Sequence, residues 1–213
     1  MLTNDFHSTQ TDLLPQQTTL RSQPTTLPTQ QTTRRSQAPS ISTQIPAVAV
    51  VSQSLRDDAL RVLAETSRTF YIPVIRLPAG LLEAVGSAYL CLRAIDEVED
   101  HPDLEAPVKA AILRHISRAL LEAADGQKWE RLSQGLAGYG DALPEVTLRL
   151  EEWLRLPPDS IAARVWDATA AMADRMARWV DAGFEVRGEA DLDTYTFVVA
   201  GAVGLLLSDL WAW

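Results

Sequence analysis

The stretch AVGSAYLCLRAIDEVEDHPDL, residues 84–104, decides how the rest of the chain is read. With Leu82 just ahead of it, Val85, Tyr89, Leu92 and Ile95 recur at three- and four-residue spacing, which predicts one helix over 79–99. Pro102 stops that helix. It ends in four acids within five residues, Asp96, Glu97, Glu99 and Asp100, with Arg93 one turn before them. At 3.6 residues per turn, Tyr89, Arg93, Asp96 and Asp100 form one lengthwise stripe roughly 60° wide, with Glu99 beside it. The adjoining face carries Val85, Ala88 and Leu92, so the stripe borders the core.

Outward from this helix the same periodicity repeats and no strand-like alternation occurs. Leu55, Leu60, Val62 and Leu63 predict a helix that begins near Ser54, an N-cap with Asp57 three residues on. Further helices are expected over 106–125, 143–156, 160–184 and 191–213. The fold class is therefore all-α, with about six helices. Residues 1–50 are rich in Thr, Gln, Ser and Pro, and read as a disordered tail ahead of a helical domain over 54–213.

Charge narrows the function. The net charge is −9, and residues 1–54 carry +1 of it, leaving −10 on the remainder. An acidic body speaks against a nucleic-acid partner, which needs a basic surface. The single cysteine, Cys91, sits among apolar residues and reads as a core group. No signal-peptide pattern opens the chain, and the longest apolar run, 197–213, is interrupted by Ser208 and Asp209. A cytoplasmic location follows as the expectation.

The acidic end of the 79–99 helix is unfavourable by itself. Carboxylates at i and i+4 repel, and acids at a helix C-terminus oppose its dipole. A hard divalent cation cancels both effects, and Mg²⁺ is satisfied by one or two carboxylates, waters and phosphate oxygens. Arg93 can contact the same phosphates through its planar fork. The plainer alternative is a solvated charge run in which Arg93 pairs with Asp96 or Glu97.

Three blocks, TSRTFYIPVIRLP (66–78), the opening stretch, and YTFVVAGAVGLLLSDL (195–210), occur in an order that resembles the squalene/phytoene synthase family of head-to-head prenyltransferases. The resemblance covers roughly 58–213 and implies the N-terminal portion of the isoprenoid synthase helical bundle. It implies that Ser67, Arg68 and Phe70 contact substrate diphosphate and isoprenoid chain, and that Tyr89 and Arg93 precede the first acidic motif. It implies that Asp96, Glu99 and Asp100 hold Mg²⁺. Tyr195 would lie near the carbocation or the departing group, and Gly201 and Gly204 would let a helix and a prenyl chain approach closely. Tyr89, Tyr195, Asp96 and Asp100 would be catalytic. Met172 and Met176 read as core packing, and His115 as exposed.

The implied reaction joins two prenyl diphosphates, farnesyl or geranylgeranyl, to squalene or phytoene with loss of diphosphate, with NADPH as reductant if the product is squalene. An apolar product implies a peripheral membrane association for its release. Two departures stand out. Arg175 precedes Met176-Ala177 where many members carry glycine. The family's second aspartate-rich motif, expected beyond Trp213, is not in the chain, so a C-terminally truncated protein with little turnover of its own is expected. The alternative is a non-catalytic assembly protein of the same fold.

Overall fold

The computed structural model describes residues 47–122 and 128–213, with the backbone alone for 47–52 and Arg68. Among the described residues all regular structure is helical. The expected tail, 1–50, lies almost wholly outside them. The elements are α1 (Ala47–Thr66), α2 (Arg68–Val74), α3 (Leu81–Glu99), α4 (Ala106–Leu121), α5 (Lys128–Ala137), α6 (Glu145–Leu148), α7 (Leu150–Leu154), α8 (Asp159–Asp181), α9 (Glu189–Thr196), a π-helical turn (Phe197–Gly201) and α10 (Ala202–Ala212).

Helix α3 is central. It packs on α1, α4, α6, α7, α8 and α10, and is buried on most faces. Small residues make this possible: Ala84, Gly86, Ser87, Ala88, Cys91 and Ala94 are all buried along it. Ser87 Oγ donates to the Trp153 carbonyl at 2.6 Å, and Thr147 Oγ1 donates to the Ala94 carbonyl at 2.9 Å, so polar groups in this dry region are satisfied. Cys91 is fully buried as expected, and burial pushes its thiol up to about 12. Helices α4 and α8 form the other principal pairing, where Ala162, Ala170, Ala173 and Ala177 keep one face of α8 shallow.

Several expectations are corrected. Ser54 is not an N-cap, because α1 begins at Ala47 and runs through it. The 143–156 helix is broken at Arg149 into α6 and α7. The Trp153 indole donates to the Val146 carbonyl at 2.8 Å, the acceptor that a continuous helix would offer to the Leu150 amide. Helix α2 is capped by Ser67, whose Oγ accepts from the Phe70 amide at 3.0 Å; it and α5 are additional elements. His115 is half-buried, and its Nε2 donates to the Arg131 carbonyl at 2.8 Å. It fits because Gly135 faces it: an added Cβ there would lie 1.9 Å from that nitrogen. Finally, α9, the π turn and α10 run on as one helical unit, Glu189–Ala212. At 24 residues, Ser208 and Asp209 among them, this is long and apolar enough to cross a membrane by length and composition.

Candidate active site

An apolar cavity of about 790 Å³ lies between α2, α3, α8 and α10. Its walls are Val74, Leu77, Val85, Leu92, Val203 and Leu207, among others, and Phe70 and Trp211, each 57% exposed, stand at its rim. Its polar side comes from α3 alone: Tyr89, Arg93 and Asp96. Three of the four residues in the stripe read from helical periodicity therefore face an apolar cleft, and Asp100 does not line it.

The side chains in this stripe have defined partners. Tyr89 donates its hydroxyl to the Thr66 carbonyl at 3.0 Å, and its ring lies 5.9 Å from that of Phe70, tilted by 46°. Arg93 pairs with Asp96 at 2.7 Å and also with Glu97, the arrangement considered as the plainer alternative, while its Nε is buried without a partner. Burial pulls the Arg93 guanidinium down, but Glu97 and Asp96 outweigh it and hold it above its ordinary value. Burial raises the Asp96 carboxyl; Arg93 opposes this, and Asp100 and Glu97 add to it.

Glu99 is the exceptional group. It is 3% exposed, and its Oε1 has no hydrogen-bond partner. Lys109 is adjacent, but its ammonium donates to the Glu99 backbone carbonyl, at 2.8 Å. Burial first, then the neighbouring Asp100 and Asp96 charges, push the Glu99 carboxyl up to about 7. Asp100 is exposed and ends α3. Tyr195 of α9 belongs to the same group of residues: burial and then Glu99, Asp100 and Asp96 raise its phenol. Its ring is held edge-on by Trp179 at 5.3 Å and Phe184 at 6.1 Å.

A divalent cation fits this donor set. A buried carboxylate oxygen without a donor, next to two further acids, has the charge and the free lone pairs that such an ion satisfies. Among the described residues no three acidic, histidine or cysteine side chains already converge on one point. An ion here would therefore take part of its shell from water or ligand oxygen, as Mg²⁺ does.

The remaining sequence-predicted residues are distributed unevenly. Gly204 lines the cavity, with nothing within 4 Å of where a Cβ would stand. Gly201 does not line it; a Cβ there would come within 2.8 Å of the Phe197 ring, so that glycine makes room for an aromatic neighbour. Ser67 is a helix cap, and the Arg68 side chain lies outside the described residues. Met172, read from sequence as core, is buried and also lines the cavity, whereas Met176 is core alone. Missed altogether were the π turn and the cavity residues Val199, Ala200 and Trp211. An extra residue in a helical turn leaves no periodic signature over five positions.

The structure is thus an all-helical protein with an apolar cleft bordered on one helix by arginine and clustered carboxylates. Residues 63–212 match the family model described as squalene/phytoene synthase, and the chain belongs to that family. Among its relatives are the Botryococcus squalene synthase of Botryococcus braunii, 32% identical over 143 residues, 67% of this chain and 29% of that protein. Squalene synthase of Schizosaccharomyces pombe is 32% identical over 168 residues, 76% of this chain and 35% of that protein. Lycopaoctaene synthase of Botryococcus braunii is 29% identical over 158 residues, 72% and 34% respectively. The chain spans about a third of the length of these curated relatives.

Proposed function

We propose that residues 54–213 supply one substrate-ionising half of a head-to-head prenyltransferase, which condenses two prenyl diphosphates with loss of diphosphate. The observation that carries this reading is the position of Glu99 and Asp96: acids raised by burial at one end of α3, with Asp96 and Arg93 on the wall of an apolar cavity. Asp96 and Glu99, with Asp100 at the exposed end, would hold Mg²⁺. When bound, that ion would neutralise charge on the leaving diphosphate oxygens.

The chain's own residues do the rest. Arg93 turns from Glu97 toward phosphate oxygens and binds them through its fork. The aliphatic walls hold the prenyl tail and exclude water from an allylic cation. Tyr89 has its hydroxyl committed to the Thr66 carbonyl, so it offers its ring face, with that of Phe70, to positive charge. Tyr195, its phenol raised beside the three acids, keeps its proton at neutral pH and is available as a hydrogen-bond donor to a departing oxygen. A squalene product draws hydride from NADPH. Low turnover by residues 1–213 alone, and peripheral membrane association for release of an apolar product, belong to the same reading.

Calorimetric titration of the chain with farnesyl thiodiphosphate, with Mg²⁺ and then with EDTA, tests it. Binding is expected to weaken at least tenfold in EDTA, and Asp96→Asn is expected to remove that dependence. Equal affinity in EDTA, with Asp96→Asn silent, would overturn the reading in favour of a non-catalytic binding protein.

A further inference from the structure

A second, smaller cavity of about 270 Å³ lies beside the first, between α3, α8, the π turn and α10. Leu92, Met172, Val203 and Leu206 line both cavities and form the partition between them. The charges differ. The larger cavity takes Arg93 and Asp96 at one end and is otherwise apolar, whereas the smaller one carries Arg164, Asp167 and Arg175. Arg164 is paired with Asp209. Arg175 is half-buried on α8, one turn after Met172, and has no acidic partner among the described residues. Its guanidinium lies over the Phe197 ring, 5.5 Å from the centroid.

A guanidinium held this way retains part of its water and gains from the ring quadrupole. Hydrocarbon pushed through the partition would strip that remaining water and supply no counter-charge, which is unfavourable for a cation. An apolar side chain at position 175 would impose no such barrier. The partition itself is deformable, since Met172 is unbranched and rotates readily. What stops a tail at the partition is therefore the charge behind it more than the wall.

We propose that Arg175 is a specificity-determining residue. It makes the smaller cavity unavailable to isoprenoid hydrocarbon, ends the tail at the Leu92–Met172–Val203–Leu206 partition, and so favours the shorter of two prenyl diphosphates. This rests on the prenyl diphosphate reading of the larger cavity. Relatives of similar identity carry different product names, squalene synthase and lycopaoctaene synthase.

The test compares the Mg²⁺-dependent affinities of farnesyl and geranylgeranyl thiodiphosphate for the full chain and for Arg175→Leu, by calorimetry. The expected result is a preference for the farnesyl compound in the unaltered chain that falls about tenfold in Arg175→Leu. Farnesyl affinity should stay unchanged, which a merely structural role for Arg175 would not give. Arg175→Gln, neutral and close in shape, should give the same direction and serves if the leucine variant does not fold. Binding of both compounds with an unchanged ratio in both variants would overturn the role of Arg175 alone. Binding of neither compound to the unaltered chain would overturn the reading beneath it as well.

Discussion

Glu145 and Glu99 are the same residue type on neighbouring parts of one fold, and their carboxyls are driven in opposite directions. Glu145, at the start of α6, accepts from Arg61 and from Arg149, and these bonds hold it down to about 2. Arg149 goes on to Asp58 at 2.8 Å and Glu152 at 2.6 Å, and stacks on Trp153, 4.6 Å from the ring. Every acid in that network has a cation. Glu99, at the end of α3, is more buried, has an oxygen with no donor, faces two further acids, and is pushed up to about 7. The first arrangement is what a fold does with charge when stability is all that matters. The second leaves charge unresolved, and such groups concentrate where a ligand supplies the missing partner.

The contrast is broken most decisively by neutralising the unresolved side. Glu99→Gln removes a buried charge that repels Asp96 and Asp100. The variant is expected to lose entirely the rise in melting temperature that Mg²⁺ with farnesyl thiodiphosphate gives the unaltered chain. Without ligand it should melt at the same temperature or higher at pH 8. Thermal denaturation followed by circular dichroism reads both. A variant that melts lower without ligand and still responds to Mg²⁺ would mean that Glu99 is an ordinary structural acid.

Neutralising the resolved side should have the opposite sign and a smaller size. In Arg149→Met the guanidinium over Trp153 is removed and Asp58, Glu145 and Glu152 lose their shared cation. The three acids are partly exposed and each pair is weak by itself, but the Arg149 side chain is only 21% exposed. A loss of about 1–2 kcal/mol in urea denaturation is expected, with the Mg²⁺ response intact. No loss would mean that the network is surface decoration.

These two regions were not equally legible in the sequence. The α3 stripe could be read because helical spacing fixes which side chains share a face, and Tyr89, Arg93 and Asp96 do share one cavity wall. Helix α8 was legible within a few residues at each end for the same reason. The Arg149 network was not, because it joins α1 to α6 and α7 across 91 residues and depends on a break made by one tryptophan indole. The unpartnered oxygen of Glu99 was hidden too: spacing places a carboxyl beside the stripe, but only the folded structure shows that its Oε1 is buried without a hydrogen-bond donor. Arg175 stood out as a departure from a pattern, yet its place behind the partition comes from the π turn that brings Phe197 over α8.

The dependence of stability on pH separates the two glutamates without any mutation. Glu145 is lowered from its ordinary 4.5 to about 2, so the folded state holds fewer protons than the unfolded chain between those values. Its contribution is present above pH 4.5 and is lost as pH falls toward 2, and because the group is exposed the loss is modest. Glu99 is raised from 4.5 to about 7, so the folded state holds more protons in that window. Its penalty is absent below pH 4.5, grows as pH rises, and is complete above 7. Without ligand the melting temperature should therefore fall by a few degrees between pH 5 and pH 8, and Glu99→Gln should flatten that slope while leaving the acid limb below pH 4.5 untouched. Mg²⁺ should flatten it as well, because a cation at the carboxylate returns Glu99 toward its ordinary value and removes the reason for it to take up a proton. A slope that survives both Glu99→Gln and Mg²⁺ would place the titrating group elsewhere and leave the α3 carboxylates without the unresolved charge on which the comparison turns.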